Sequence, residues 1–272
     1  MSARRASPKD VGALTQDAPA PIFIDGRAPG VIAFHGFGGT TREIELCTDV
    51  AGELGLAAIA ECLPGHGSHA RDLAQTRFAD WTRGAESVFA KFAGTGPVIS
   101  AGLSMGALMA AHLAITYPER VAGLVLLANA AWLRSPLSWA LRVGGALRIP
   151  DFLMRKQGSD IADPEARASQ ITYSADPVHA AIDLERSGRR MREQLGRIRC
   201  PTLIIHGALD RVCPVQNAWR VAGLLGTTDV RVVILPRSHH IVTRDVERAD
   251  VARELRAFYT RVADAAQTPV EP

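Results

Sequence analysis

From residue 21 onward, short apolar runs rich in Val, Ile and Leu alternate with longer segments whose apolar positions recur at helical spacing. Pro21 to Ile24 reads as a first strand and Val31 to Phe34 as a stronger one. Thr40 or Thr41 is placed to cap a helix through Leu54, with Glu43 and Glu45 in its first turns, where carboxylates suit the helix dipole. Ala57 to Leu63 reads as a strand, PGHGSH as a loop, Phe78 to Phe92 as a helix and Val98 to Ala101 as a strand. A helix beyond Ser104 runs to about Tyr117, where Pro118 ends it, and Val121 to Ala128 is the next strand.

Between Trp132 and Arg199 this rhythm stops: no strand-like run occurs, and apolar residues crowd the first third. It resumes with a strand at Thr202 to Ile205, a helix near Val215 to Leu225, a strand at Val230 to Leu235 and a helix over about Val246 to Val262. Such alternation predicts right-handed crossovers and a mostly parallel sheet with helices on both faces. Continuous apolar strands such as GLVLLA and TLIIHG suit burial on both sides. The expected organisation is a flexible leader over residues 1–20, a core over 21–131 and 200–265, and a helical insertion over 132–199.

Composition narrows the function classes. With 272 residues, 47% of them hydrophobic and 22% charged, the chain has material for one large core plus an insertion. Its formal charge is only +3 and its arginines are scattered, which argues against a nucleic-acid partner. The longest apolar stretch, Val121 to Leu133, is shorter than the roughly 18 residues of a membrane span and contains Asn129, so no integral membrane segment is expected. The two arginines near the start are followed by no apolar block, unlike a secretory signal. Cys47, Cys62, Cys200 and Cys213 are widely spaced, which predicts reduced thiols and a cytoplasmic location.

Active groups in open α/β sheets gather at the carboxyl ends of the strands. Those ends here carry His35-Gly36-Phe37-Gly38-Gly39, then Gly102-Leu103-Ser104-Met105-Gly106, then His206-Gly207-Ala208-Leu209-Asp210, then Ser238-His239-His240. A serine, an aspartate and a histidine thus leave one edge of one sheet in the chain order of a G-x-S-x-G nucleophile elbow and its partners. A serine hydroxyl barely ionises at neutral pH, so it needs a base, and a neutral imidazole of pKa near ~6.5 suits that task. Ser104, His240 and Asp210 are the expected nucleophile, base and orienting acid. Gly102 and Gly106 are the small residues such a turn demands. The Phe37 and Met105 backbone N–H groups are the expected oxyanion donors.

His239 competes with His240 as the base, and Asp245 or Glu247 with Asp210 as its partner. The position of these two acids at the start of the final helix favours a helix-dipole role. His35 and His206 each precede Gly at a strand end and are read as loop-orienting. His66 and His69 lack the company of a metal site and are read the same way. Cys213 is read as an inert thiol. No metal or cofactor is expected.

HGFGG, PGHGSH, Asp80-Trp81, GLSMG, HGALDRVCP and SHHIVTRD together resemble the α/β-hydrolase superfamily, in its bacterial carboxylesterase and monoacylglycerol-lipase branch. The likeness covers about Val31 to Tyr259 outside the insertion. One departure stands out: the esterase pattern commonly has Ser-Gly-His where this chain has Ser238-His239-His240. The resemblance implies an α/β-hydrolase fold with a cap inserted after the sixth strand, and hydrolysis of carboxylic esters; together with the apolar first third of the cap it points to monoacylglycerol-like or short-to-medium-chain aliphatic esters. Trp132, Leu137, Trp139 and Phe152 are the candidate pocket residues in that cap. Acyl transfer, lactone hydrolysis or cofactor-free perhydrolysis by the same three residues, and a ligand receptor on the same fold, are the competing readings.

Overall fold

The computed structural model describes residues 11–92, 96–156 and 158–267. Strands β1 (Ile22–Ile24) and β2 (Arg27–Phe34) lead through a 3-10 turn at Thr41–Glu43 into helix α1 (Glu45–Glu53) and strand β3 (Leu56–Ala60). Helices α2 (Ala70–Ala74) and α3 (Phe78–Lys91) precede β4 (Val98–Leu103), α4 (Met105–Thr116) and β5 (Val121–Leu127). The insertion holds α5 (Leu137–Leu147), β6 (Leu153–Arg155), α6 (Pro164–Ala168), β7 (Ala175–Pro177) and α7 (Val178–Arg192). The core then resumes with β8 (Thr202–Gly207), α8 (Asn217–Ala222), β9 (Val230–Leu235) and α9 (Arg248–Gln267).

The described sheet has seven strands in the order β1-β3-β2-β4-β5-β8-β9, and only the β1–β3 pair is antiparallel. The period of two in a strand divides its side chains between two cores. Ile32, Phe34, Leu124 and Leu126 pack toward α3, α4 and α8. Val31, Ala33, Val125 and Leu127 pack toward α1 and α9. This is the α/β-hydrolase fold the sequence led us to expect, with one correction of count. The insertion follows β5, the fifth described strand rather than the sixth, because only β1 precedes β2 along the chain. No described helix is long and apolar enough to cross a membrane.

The insertion is not purely helical, as β6 and β7 pair antiparallel with Leu153 opposite Pro177 and Arg155 opposite Ala175. Three-residue strands with no alternating pattern give no periodic signal, so pairing across the insertion makes this ribbon. The leader also departs from expectation. Residues 1–10 lie outside the described residues, but Gly12 to Thr15 form a strap rather than a flexible tail. Ala13 bridges His69 and Leu14 bridges Tyr173, while Ser174 N–H donates to Ala13 O at 3.0 Å and Thr15 N–H to Thr172 O at 3.0 Å. Main-chain groups and the small hydroxyls of Thr15 and Ser174 make this attachment, so composition carries no trace of it.

Tyr173, fully buried, fastens the insertion to the core loop that the strap also touches. Its hydroxyl donates to Gly65 O at 2.7 Å and accepts from Ser68 N–H at 3.2 Å. Tyr173→Phe strands both main-chain groups and is expected to cost about 1–3 kcal/mol, read as a lower urea midpoint with an unchanged m-value.

Candidate active site

At the end of β4 the chain turns into α4 within one residue, and Ser104 takes φ 57° and ψ −114° to do it. A side chain at positive φ is strained, and surrounding structure must hold it there. Ser104 N–H donates to Leu127 O at 2.9 Å, and Ser104 O accepts from Ala130 N–H at 3.2 Å. The close approach of α4 to the sheet explains the two flanking glycines. A Cβ on Gly102 would lie 2.0 Å from Gly106 O, and one on Gly106 would lie 2.1 Å from Phe34 O.

Loop 35–39 lies over the same turn, since a Cβ on Gly36 would sit 3.4 Å from Ser104 Cβ. Phe37 follows Gly36, and Met105 opens α4, where N–H groups have no intrahelical acceptor. The loop is fixed from beneath. His35 Nδ1 donates to Gly36 O at 2.8 Å, and its Nε2 accepts from Leu63 N–H at 3.0 Å. The Phe37 ring meets Trp81 edge-on at 5.8 Å and His66 at 6.3 Å. His66 bonds the loop carbonyl of Pro64 at 3.1 Å, and His69 Nδ1 accepts from Arg71 N–H to cap α2, so both have the loop roles expected of them.

Asp210, 1% exposed, is held by four donors. Its Oδ1 accepts from Val212 N–H and Cys213 N–H, both at 2.8 Å. Its Oδ2 lies 2.8 Å from His240 Nδ1 and 3.0 Å from His206 Nε2. Burial by itself would raise this carboxyl, but the adjoining His240 and His206 outweigh it and hold the group below the ordinary carboxylate range. Burial likewise works against a proton on His240, yet the Asp210 charge and hydrogen bond leave its pKa raised. His206 therefore does more than orient its loop. Its spacing of four residues from Asp210, H-G-A-L-D, was the available signal.

His239 faces elsewhere, with Nδ1 3.0 Å from Asp160 Oδ1. Asp245 and Glu247 do not reach the His240 ring, and both precede Arg248, the first residue of α9. Asp245 accepts from His239 N–H at 2.7 Å, and Glu247 from Ser238 Oγ at 2.7 Å and Arg237 N–H at 2.9 Å. They organise the histidine loop by hydrogen bonding, and Glu247, whose main-chain oxygen accepts from Val251 N–H at 3.2 Å, also stands at the start of α9 as expected. The Cys213 thiol adjoins Ser104, and burial pushes its pKa well up, as befits an inert thiol.

Ser104 and His240 line one cavity of ≈ 360 Å³ between core and insertion. Of the four candidate pocket residues only Leu137 lines it, beside Leu133, Leu141, Leu184 and Val212. Trp139 and Phe152 are 64% and 53% exposed. Trp132 sits between guanidinium groups, with Arg192 at 4.6 Å and Arg220 at 5.6 Å from its ring centre. Composition marked the apolar crowding, but the helical phase of α5 decides which side chains face inward.

The cavity's polar side went unread in the sequence. Lys156 Nζ lies 2.9 Å from Asp176 Oδ1 and donates to Thr172 Oγ1 at 3.1 Å. Glu43, assigned above to a helix dipole, is buried and accepts from Gly36 N–H at 2.8 Å and Gln170 Nε2 at 3.0 Å. Burial raises its carboxyl above the ordinary range against the Gly36 donor and the Lys156 charge.

The hydrolase family described as "Serine aminopeptidase, S33" matches residues 28–247. A thermostable monoacylglycerol lipase from Bacillus sp. is 28% identical over 89% of this chain and 95% of its own length. A carboxylesterase from Bacillus subtilis is 22% identical over 90% of this chain and 97% of its own. Among solved structures, one from a study of the metagenome-derived lipolytic enzymes LipS and LipT has TM-score 0.83 and 26% identity, covering 90% of this chain and all of that one. The monoacylglycerol lipase of Paleococcus ferrophilus has TM-score 0.75 and 17% identity, covering 90% and 98%, and shares the fold.

Burial lowers the His35 pKa from 6.5 to about 4, so the unfolded chain takes up that proton first as pH falls. Stability tied to His35 is present above pH ~6.5 and is lost on acidification toward pH ~4, by roughly 3 kcal/mol in all. Urea unfolding between pH 7 and pH 4.5 should therefore decline less steeply for His35→Gln than for the parent protein.

Proposed function

The chain belongs to the "Serine aminopeptidase, S33" family of the α/β-hydrolase superfamily, and from that premise we propose that it hydrolyses carboxylic esters through an acyl-enzyme on Ser104. The observation that carries this reading is His240 Nδ1 held 2.8 Å from the buried Asp210 carboxylate while His240 and Ser104 share one cavity. Asp210 keeps the imidazole proton on Nδ1, which leaves Nε2 free to take the Ser104 proton as Oγ attacks the ester carbonyl. The resulting oxyanion is met by the Phe37 and Met105 N–H groups, each such donor being worth about 3 kcal/mol. His240 then returns the proton to the departing alcohol and deprotonates the water that cleaves the acyl-enzyme.

The wall of the cavity favours an ester over an amino-terminal peptide substrate. An aminopeptidase needs a free carboxylate for the substrate ammonium, and the acids here are engaged. Asp176 pairs with Lys156, Asp160 with His239, and Glu43 with Gly36 and Gln170. A lining that combines leucines with Lys156, Asp176 and Thr172 suits an aliphatic acyl chain joined to a hydroxylated alcohol. The names of the two Bacillus relatives point the same way.

Steady-state kinetics on p-nitrophenyl esters test this. Ser104→Ala and His240→Ala should each lower kcat by more than about 10³-fold, whereas His239→Ala keeps most of the activity. Across the acyl series kcat/KM should climb by up to about fourfold per methylene, the equivalent of ~0.8 kcal/mol, until the cavity is filled. Faster cleavage of amino-acid p-nitroanilides than of any ester, or full activity in Ser104→Ala, would overturn the reading.

A further inference from the structure

Asp160 belongs to the insertion, in the segment between β6 and α6, yet its hydrogen bonds go to the two core loops that carry His240 and Asp210. Its main-chain oxygen accepts from His240 N–H at 3.1 Å and from Ile241 N–H at 3.3 Å. Its Oδ1 lies 3.0 Å from His239 Nδ1, and its Oδ2 accepts from the N–H of Arg211, the residue after Asp210, at 2.8 Å. Its side chain is 12% exposed, and the residue lines the cavity beside His240. The histidine loop returns the grip. Asp245 accepts from Ala162 N–H at 2.9 Å and Asp163 N–H at 3.0 Å, with His239 N–H on the same carboxylate. A segment that only roofed the cavity would need none of these contacts.

We propose that Asp160 is a positioning residue through which the insertion sets the geometry of the active site, tying the histidine loop to the acid loop from outside the core. This rests on the reading of Ser104, His240 and Asp210 as the reacting and orienting groups. The carboxylate also adds negative charge near the imidazole. The groups facing His240 are Asp210 with His206 behind it, the Cys213 thiol, Glu43 from the 3-10 turn and Asp160 from the insertion. Burial works against the imidazolium, while Asp210, Asp160 and Glu43 favour it. Removing the Asp160 charge lowers the pKa of the base, so activity should persist to lower pH even as turnover falls.

The test is kcat and KM for a short-chain p-nitrophenyl ester from pH 5 to 9, using the full chain with Asp160→Asn, Asp160→Glu and Ser104→Ala. Asp160→Asn should lower kcat about tenfold with KM within about twofold, since small errors in the placement of reacting groups are expensive. The acidic limb of its kcat/KM profile should move to lower pH by a few tenths of a unit, because that limb reports the free enzyme's base. Asp160→Glu keeps the charge but displaces the oxygens, so it should lower kcat and leave the limb in place. Wild-type kcat and limb in Asp160→Asn would overturn this inference alone, as would the same limb shift in both Asp160 variants. Should Asp160→Asn not fold, Asp160→Glu carries the test, and wild-type kcat in it is the contrary result. Unchanged turnover in Ser104→Ala would instead overturn the underlying reading together with this one.

Discussion

A carboxylate buried at the edge of the sheet is the constraint on which the rest depends. Taking an ion out of water costs several kcal/mol unless its lone pairs are met, and Asp210 meets that condition with two main-chain N–H groups and two imidazoles. Each partner comes from a different demand of the fold. The Val212 and Cys213 amides require a tight turn after β8, and His206 requires the last inward position of that strand. His240 requires the loop beyond β9 to turn back toward Ser104. Any shift of one strand end against the other would leave the charge unsatisfied, so the fold and the site are specified by the same contacts.

Ser104 imposes the second demand. Its positive φ survives because α4 is pressed against β4 and β2 over Gly102 and Gly106, and because Leu127 and Ala130 grip its main chain. The serine, the aspartate and the histidine thus stand on the loops that leave the carboxyl ends of β4, β8 and β9, which with β5 form one parallel run of the sheet. The leucines of the insertion and its Lys156–Asp176 pair then line the same cavity as Ser104.

Much of this was legible in the sequence because it obeys local rules. Parallel strands buried on both faces must be runs of Val, Ile and Leu, and a strand-to-helix turn without room for side chains must carry glycines, so β4, β5, β8 and the turn at Ser104 could be placed directly. Other features depend on contacts between distant segments. The ribbon of β6 and β7, the strap at Gly12 to Thr15 and the grip of Asp160 are made by main-chain groups, small hydroxyls or single acids with no periodic signature. Trp139 and Phe152 show the limit of hydrophobicity as a guide, since both are apolar and both face solvent. Glu43 shows the reverse: an acid read as a helix-dipole partner is buried because Gly36 and Gln170 supply its donors.

On the function proposed above, one serine among those of the chain is made nucleophilic by the imidazole that Asp210 orients. The most direct measurement is reaction of the native protein with a fluorophosphonate, followed by mass spectrometry of the modified peptide. A single adduct is expected, on Ser104, formed rapidly in the parent protein and lost in Asp210→Asn and on unfolding. An adduct on another residue, or Ser104 labelling that is as fast without Asp210 as with it, would contradict it.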